Sequence, residues 1–180
     1  MIDHYLQGKD SIFLLPTWGV KSVCYQLPAL LNQGQTIVIS PLVSLMQVQV
    51  YELNQRGIKS MFFENIGGKN DLYRQLENAR NGNFKIIYFS PERLASYEFL
   101  NQIEKLPIKG IAVDEAHCIS EWGHDFRPEY RKIRPFIKQI ADVHTIALTA
   151  TATPKVQDDI IKNLKLDYKK ADKSLELRNE

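Results

Sequence analysis

The chain alternates short apolar runs with longer stretches of amphipathic periodicity. Five apolar runs are rich in Ile, Val, Leu or Phe and are too short for buried helices, so they predict strands. These strands cover residues 11–15, 36–40, 85–89, 110–113 and 144–148, and residues 58–63 are a sixth candidate. Helical spacing of apolar positions predicts helices over residues 22–31, 42–56, 71–80 and 128–140. Thr153 followed by Pro154 is typical of a helix start and predicts a last helix over residues 154–164.

The alternation of strands and helices indicates the fold class. It predicts crossover units and therefore an α/β fold with a mostly parallel central sheet. The strands are apolar almost throughout, which is typical of a sheet covered by helices on both faces. Residues 1–166 are thus predicted to form one three-layer domain, and the charged segment 167–180 a frayed tail or linker.

A polar cluster follows each of the five predicted strands. Because ligands of open α/β sheets bind at the carboxyl ends of the strands, these clusters predict a binding edge. Polar loops without a function would explain one such cluster easily and five poorly. The clusters are Pro16 to Ser22, Ser40-Pro41-Leu42, Ser90-Pro91-Glu92-Arg93, Asp114-Glu115-Ala116-His117 and Thr149-Ala150-Thr151.

Composition narrows the class of protein without identifying a ligand. Of the 180 residues, 44% are hydrophobic and 24% charged, which excludes a disordered or fibrous chain. A net charge of +2 provides no strong field, so nucleic-acid binding would have to come from a local site. Two cysteines are too few for a disulfide framework, and neither a signal peptide nor a membrane-spanning run is visible. The expectation is a soluble intracellular domain.

The first and fourth clusters carry the chemistry of a nucleotide site. Lys21-Ser22 opens a predicted helix after a strand, where backbone N–H groups face phosphates. In such loops the lysine reaches the β- and γ-phosphates and the hydroxyl binds Mg²⁺. Asp114 would complete the magnesium site and Glu115 would orient the attacking water. An Asp-Glu pair alone is usually a solvated helix start, but its combination with Lys21-Ser22 favours catalysis.

Several ordered motifs resemble those of RecQ-family DNA helicases. Leu15-Pro16-Thr17 with the segment 21–30 resembles motif I, residues 40–46 motif Ia, and residues 90–94 motif Ib. Asp114-Glu115-Ala116-His117 resembles motif II, and residues 147–153 resemble motif III. The most specific match is the segment 118–130, which is similar to the aromatic-rich loop of this family. The resemblance covers almost the whole chain to residue 166.

The resemblance implies a RecA-like fold of the P-loop NTPase class, with ATP and Mg²⁺ as cofactors and single-stranded or forked duplex DNA as partner. It implies ATP binding by Pro16, Thr17, Trp18, Gly19, Val20, Lys21 and Ser22, and Mg²⁺ binding by Ser22 and Asp114. The implied catalytic residues are Lys21, Asp114, Glu115 and His117. The residues implied to bind DNA are Ser40, Pro41, Trp122, His124, Phe126 and Arg127. Thr149 and Thr151 are implied to have a coupling role. A cytoplasmic, nucleoid-associated role in DNA repair and recombination is implied as well.

The aromatic loop makes chemical sense without the resemblance. Trp122, His124, Phe126 and Arg127 lie within six positions, directly after the acidic pair. Aromatic faces stack on unpaired bases, and arginine adds a phosphate or cation–π contact. The alternative for Trp122 alone is a core tryptophan, since tryptophan is mostly buried in folded proteins. The neighbouring Gly123 and polar residues favour an exposed loop.

The sequence departs from the family at the phosphate loop. That loop normally reads Pro-Thr-Gly-Gly-Gly-Lys-Ser, and here Trp18 and Val20 replace two glycines and leave Gly19. Glycine permits unusual dihedrals and a close approach of backbone to phosphate, so weakened ATP binding is expected. Val48 stands where the family usually has aspartate. Cys24 and Cys118 lack metal-ligand spacing and are expected to be packing residues, so no zinc is expected in this chain.

Two further parts of the family's motor are expected to be absent from this chain: the upstream glutamine motif and the second RecA-like domain with its arginine finger. The chain alone is therefore not expected to unwind DNA. The leading interpretation is the first motor domain of a RecQ-type ATP-dependent helicase. One alternative is a non-catalytic nucleic-acid-binding module with a degenerate ATP site, and another is a structural or interaction domain that keeps only the fold.

Overall fold

A single six-stranded sheet forms the centre of the molecule in the computed structural model, which describes residues 7–15, 21–64, 68–140 and 142–167. Its strands are β1 (Ser11–Leu14), β2 (Gln35–Ile39), β3 (Ser60–Phe62), β4 (Ile86–Phe89), β5 (Ile108–Val113) and β6 (His144–Thr149). Their order across the sheet is β1-β6-β5-β2-β4-β3, and each neighbouring pair is parallel. All six predicted strands are confirmed, including the candidate at residues 58–63.

Within the described residues there are six α-helices, five between strands and one after β6: α1 (Val23–Leu31), α2 (Val43–Gln55), α3 (Lys69–Asn81), α4 (Tyr97–Ile103), α5 (Ile133–Gln139) and α6 (Pro154–Leu164). Three 3₁₀ turns cover Pro91–Ala95, Ala116–Ile119 and Pro128–Lys132. The sequence pattern did not predict α4, because seven residues are too few to establish a helical period.

The helix predicted over residues 128–140 is divided in the structure. Its first part is the 3₁₀ turn Pro128–Lys132, and only Ile133–Gln139 is α-helical. Pro135 favours this division, because proline lacks an N–H and is best tolerated in the first turn of an α-helix. An α-helix that began at residue 128 would place Pro135 in its interior.

Two hydrophobic layers enclose the sheet. Ile37 and Ile39 of β2 face one core together with helices α3 to α6, whereas Val38 between them faces the core formed with α1 and α2. Every residue of β2 and β4 is buried, as expected for strands covered on both faces. The predicted α/β fold with three layers and a mostly parallel sheet is confirmed.

The strand order brings the predicted functional clusters to one edge. Because β1, β6, β5 and β2 are neighbours and parallel, their carboxyl ends lie side by side. Beyond the strands, the backbone N–H of Leu15 donates to the Thr149 carbonyl at 3.0 Å, and that of Asp114 donates to the Ile39 carbonyl at 2.9 Å. The segments that follow these strands therefore begin side by side, at strand ends that are joined by backbone hydrogen bonds. They carry Lys21, Ser40, Asp114 and Thr149.

The carboxyl-terminal part of the described chain is docked on the domain. Leu166 is buried, and the backbone N–H of Asp167 donates to Asp10 Oδ2 at 2.9 Å. The rest of the predicted tail, residues 168–180, lies outside the described residues. No helix among the described residues is both long and apolar enough to cross a bilayer.

One buried tyrosine joins the end of β5 to the segment after the aromatic loop. The Tyr130 hydroxyl donates to the backbone carbonyl of Asp114 at 2.8 Å, and its side chain is fully buried. This hydrogen bond fixes the 3₁₀ turn Pro128–Lys132 against the strand end that carries the acidic pair.

Tyr130→Phe is expected to lower the free energy of unfolding by about 1–3 kcal/mol, because a buried carbonyl loses its hydrogen-bond partner. Tyr97→Phe is the matched control, since Tyr97 is 77% exposed and its change is expected to be neutral. Urea denaturation of both variants measures the difference. Equal midpoints for the two variants would contradict the structural role given to the Tyr130 hydroxyl.

Candidate nucleotide and nucleic-acid site

A lysine held between two carboxylates forms the centre of the site. Lys21 Nζ lies 2.9 Å from Asp114 Oδ1 and also donates to Glu115 Oε1. All three side chains are largely shielded from water, which strengthens their electrostatic interaction. The residues come from opposite parts of the sequence, since Lys21 precedes α1 and the acidic pair follows β5.

The charges of this cluster are coupled. Burial lowers the pKa of Lys21, but Asp114 and Glu115 outweigh burial, so the pKa is raised above its ordinary value. Burial raises the pKa of Asp114, and the Lys21 ammonium only partly offsets this effect. Lys21 therefore remains a cation at neutral pH, and it compensates one of the two negative charges.

The backbone at Glu115 turns both carboxylates toward the lysine. Glu115 has φ 47° and ψ 45°, the left-handed conformation that non-glycine residues rarely adopt. Its N–H donates to Asp114 Oδ1 at 3.0 Å. A strained conformation of this kind costs about 1–3 kcal/mol and tends to occur at functional sites.

A cavity of about 210 Å³ lies beside this cluster. Lys21, Ser22, Ser40 and Asp114 supply its polar lining, and the remaining lining residues are Tyr25, Leu45, Met46, Gln49 and Tyr88. The Ser22 hydroxyl and the Asp114 carboxylate are hard oxygen donors, which is the chemistry that Mg²⁺ prefers. These two residues, predicted from sequence as magnesium ligands, thus fit that ion and line one cavity.

Ser40 belongs to the same cavity. Its side chain is buried, and its hydroxyl donates to Asp114 Oδ2 at 3.3 Å. The structure therefore places Ser40 against the acidic pair and not on an exposed surface suited to DNA, whereas the neighbouring Pro41 is half-buried. Of the predicted phosphate loop, only Lys21 and Ser22 are described, and Pro16, Thr17, Trp18, Gly19 and Val20 lie outside the described residues.

His117 connects the acidic pair to the end of β6. Its Nδ1 lies 2.9 Å from Thr149 Oγ1 and 3.4 Å from Glu115 Oε2. The Thr149 hydroxyl also bonds within the following turn, to the Thr151 carbonyl at 3.2 Å. Burial lowers the pKa of His117 despite the Glu115 carboxylate. Among the predicted site residues, His117, Thr149 and Thr151 thus form a hydrogen-bonded chain, and the Glu115 carboxylate lies beside it.

The aromatic side chains of the loop differ in exposure, because Trp122 is exposed whereas Phe126 is half-buried. Trp122 is 64% exposed, so the alternative of a core tryptophan is wrong. Its ring is covered on one face by Lys155 Nζ, which lies 3.0 Å from the ring centroid, and Phe126 is approached by the Arg131 guanidinium at 5.2 Å. The His124 ring stacks on the buried ring of His117 with centroids 4.5 Å apart. Stacking thus connects the loop directly to the acidic motif.

Residues that the sequence analysis did not single out anchor the loop. The buried Ser120 hydroxyl donates to Asp159 Oδ2 at 2.7 Å and accepts from the Trp122 N–H at 3.2 Å. Asp159 and Lys155 lie one turn apart on α6 and therefore share a helix face. The sequence contained a signal for these two residues. Their i, i+4 spacing places them on one face of a helix that begins shortly after Thr149 and Thr151.

The lysine–carboxylate cluster, the adjoining hydroxyls and the parallel sheet define the class of a nucleotide-binding α/β domain. The DEAD/DEAH box helicase family matches residues 1–160. The chain is 47% identical over 157 residues to "ATP-dependent DNA helicase RecQ" of Bacillus subtilis, a match that covers 87% of this chain and 27% of that protein. It is also 46% identical over 174 residues to "ATP-dependent helicase SGS1" of Saccharomyces cerevisiae, which covers 92% of this chain and 12% of that protein.

Solved structures agree on the fold. The Pyrococcus furiosus Hef helicase domain matches with a TM-score of 0.67 at 17% identity, over 92% of this chain and 36% of that chain. A hypothetical ATP-dependent RNA helicase from Sulfolobus tokodaii matches with a TM-score of 0.67 at 20% identity, over 91% of this chain and 47% of that chain.

The chain belongs to the DEAD/DEAH box helicase family, and the prediction of a first RecA-like domain of the RecQ type is confirmed. It spans about a quarter of the length of the Bacillus subtilis relative.

Ser120→Ala is expected to loosen the loop, because one hydroxyl serves both Asp159 and the Trp122 N–H. The loss of a hydrogen bond to a charged group predicts a decrease of about 1.5–3 kcal/mol in the free energy of unfolding. Faster amide hydrogen exchange across residues 120–127 is expected with it. Ser44→Ala on the exposed surface of α2 is the control and is expected to be neutral. Unchanged exchange in the loop would contradict the anchoring role of Ser120.

Proposed function

We propose that this chain is the ATP-binding half of a RecQ-type DNA helicase motor, which couples ATP hydrolysis to movement along single-stranded DNA. The observation that carries the proposal is the path of contacts from Lys21 through Glu115 and His117 to His124 of the aromatic loop. Its curated relatives bear the name ATP-dependent DNA helicase. We also propose that the whole protein acts on DNA and is located at the nucleoid.

The proposed nucleotide end begins with an exchange of partners at Lys21. In the structure the ammonium is paired with Asp114 and Glu115. Phosphate oxygens would compete for the same ammonium, and its transfer to them would free both carboxylates. Asp114 and Ser22 would then hold Mg²⁺, which supplies charge neutralisation at the phosphates. Glu115 would accept a hydrogen bond from the attacking water and orient it.

The proposed coupling runs through His117. Glu115 and Thr149 both contact its Nδ1, and His124 of the loop stacks on its ring. A change in the position of the Glu115 carboxylate would therefore alter the hydrogen bonds of a ring on which the loop rests. Movement of the loop would act back on Glu115 by the same contacts, as reciprocal coupling requires.

The proposed DNA end is the exposed ring of Trp122 together with the half-buried ring of Phe126. Stacking of unpaired bases on such rings is tolerant of sequence, which suits a motor that moves along a strand. Arg127 beside them is paired with Asp125 at 3.4 Å and is half-buried, so it is available for phosphate contact at its exposed side. Hydrolysis by the whole motor would require the arginine finger of a second domain.

The second candidate function is a nucleic-acid-binding module with a degenerate ATP site. The observation that favours it is the replacement of two loop glycines by Trp18 and Val20. Binding of DNA without any response to Mg·ATP would support this alternative over the motor domain.

Replacement of both Trp122 and Phe126 by alanine is expected to weaken single-strand binding, by about 1–3 kcal/mol for each base that loses its stacking partner. Fluorescence anisotropy with a labelled oligonucleotide at low salt measures the affinity, because the small net charge predicts weak and salt-sensitive binding. Tyr73→Ala removes an exposed aromatic residue outside the loop and is the control. Equal affinity of the double variant and the unmodified chain would overturn the stacking role.

Trp18→Gly combined with Val20→Gly is expected to increase the affinity for Mg·ATP. The reason is steric, because Lys21, Ser22 and Asp114 retain the charge and metal chemistry while glycine restores space and backbone freedom. Isothermal titration calorimetry measures the gain, and Lys21→Ala added to the repaired chain should abolish it. Hydrolysis is expected to stay slow after the repair.

Two outcomes would contradict this prediction. Tight Mg·ATP binding by the unmodified chain would show that Trp18 and Val20 are compatible with phosphate. No gain in the repaired chain would show that the altered loop is not the main defect. Circular dichroism of each variant separates a loss of binding from a loss of folding.

A further inference from the structure

Contrary to the expectation of no zinc from the cysteine spacing, we propose that His117, Cys118 and Asp125 form a binding site for a thiophilic divalent cation such as Zn²⁺. One ligand atom from each residue lies within 4.8 Å of the other two. The set combines imidazole nitrogen, thiolate sulfur and carboxylate oxygen, the three donor types that zinc uses in proteins. The site shares His117 with the proposed coupling path but contains none of the proposed ATP-binding or magnesium-binding residues, and it does not rest on the proposed function.

The distances approach those of a tetrahedral zinc centre. Cys118 Sγ lies 3.8 Å from His117 Nε2 and 3.7 Å from Asp125 Oδ2. Typical zinc–sulfur, zinc–nitrogen and zinc–oxygen bonds in a tetrahedron place their ligand atoms about 3.5 Å apart. Asp125 lies in the exposed loop, so a movement of its carboxylate by about 1 Å, in exchange for its contact with Arg127 Nε at 3.4 Å, would complete the geometry.

The hydrogen bonds of His117 leave the correct nitrogen available. Its Nδ1 faces two oxygens, Thr149 Oγ1 at 2.9 Å and Glu115 Oε2 at 3.4 Å. The single hydrogen of the Thr149 hydroxyl is directed to the Thr151 carbonyl, and an ionised carboxylate only accepts. Nδ1 therefore carries the ring proton, and Nε2 presents its lone pair toward Cys118.

The surroundings of His117 match what metal-binding histidines need. In protein metal sites the second ring nitrogen usually donates to a carboxylate or another oxygen, which fixes the ring and raises its basicity. Glu115 and Thr149 hold that place here. Three protein ligands with a water in the fourth position constitute an open zinc site.

Binding would tie the loop to the acidic motif. His117 and Cys118 lie in the 3₁₀ turn Ala116–Ile119, and Asp125 lies in the aromatic loop beyond it. The Cys118 thiol would lose its proton to solvent as the metal–sulfur bond forms, with no change of oxidation state. A bound ion would thus add a link between turn and loop.

The probe is Co²⁺, which takes zinc sites and reports thiolate ligation through charge-transfer absorption in the near ultraviolet. The untagged 180-residue chain, reduced and free of oxygen, is titrated with Co²⁺ and then with Zn²⁺. We expect one equivalent of Co²⁺ to give thiolate charge-transfer bands together with tetrahedral ligand-field bands. Zn²⁺ should abolish both.

Four variants test the assignment. Cys118→Ser should remove the thiolate bands, whereas Cys24→Ser, which changes the cysteine in the core on the other face of the sheet, should retain them. Asp125→Asn should raise the dissociation constant about tenfold or more. Asp158→Asn, which also neutralises an exposed carboxylate, should leave it unchanged.

Asp125 is exposed, so its substitution tests the site even where Cys118→Ser fails to fold. The proposal would be overturned by absence of thiolate bands in the unmodified chain, by bands that depend on Cys24, or by equal affinities of Asp125→Asn and Asp158→Asn.

Discussion

The placement of one ammonium group between two buried carboxylates determines how the rest of the site is arranged. Lys21 Nζ can reach both Asp114 and Glu115 only because β1 and β5 flank β6 in a parallel sheet and end at the same edge. Removal of the lysine would leave two uncompensated negative charges in a poorly hydrated place, which is costly for folded proteins. The same excess of negative charge suits the cluster to a bound cation, which would leave the Lys21 ammonium available to phosphate oxygens. Stability and proposed ligand binding therefore depend on one set of charges.

A second constraint is the left-handed turn at Glu115. It allows two side chains of one short segment to contact different neighbours. Asp114 contacts Lys21 and Ser40, and His117 contacts Thr149. An extended backbone at this position would alternate these side chains across the sheet. The strain is offset by contacts on both sides, including the Tyr130 hydroxyl on the Asp114 carbonyl.

Sequence patterns predicted the strands well because each strand is almost wholly apolar and bounded by turn residues. They also predicted that Lys21, Ser22, Asp114 and Glu115 lie close together, since these residues follow parallel strands that end at the same edge of the sheet. The role of Ser40 was less accessible, because its orientation toward Asp114 depends on the register between β2 and β5. Lys155 and Asp159 were missed for a related reason: their partners Trp122 and Ser120 lie in an irregular loop, for which no periodicity predicts direction.

The contacts that hold the loop also limit how strongly it can bind nucleic acid. A cation over an aromatic ring contributes about 0.5–2 kcal/mol, and stacking of a base contributes about 1–3 kcal/mol. A base that stacks on the face of Trp122 now covered by Lys155 must displace that ammonium, so much of the stacking energy is offset. The displaced Lys155 ammonium would then be available to pair with a phosphate. That contact would recover part of the lost binding free energy, and it would weaken as the salt concentration rises. The net gain per base would then be small, which suits the proposed motor surface, because such a surface must release each base as readily as it takes the next.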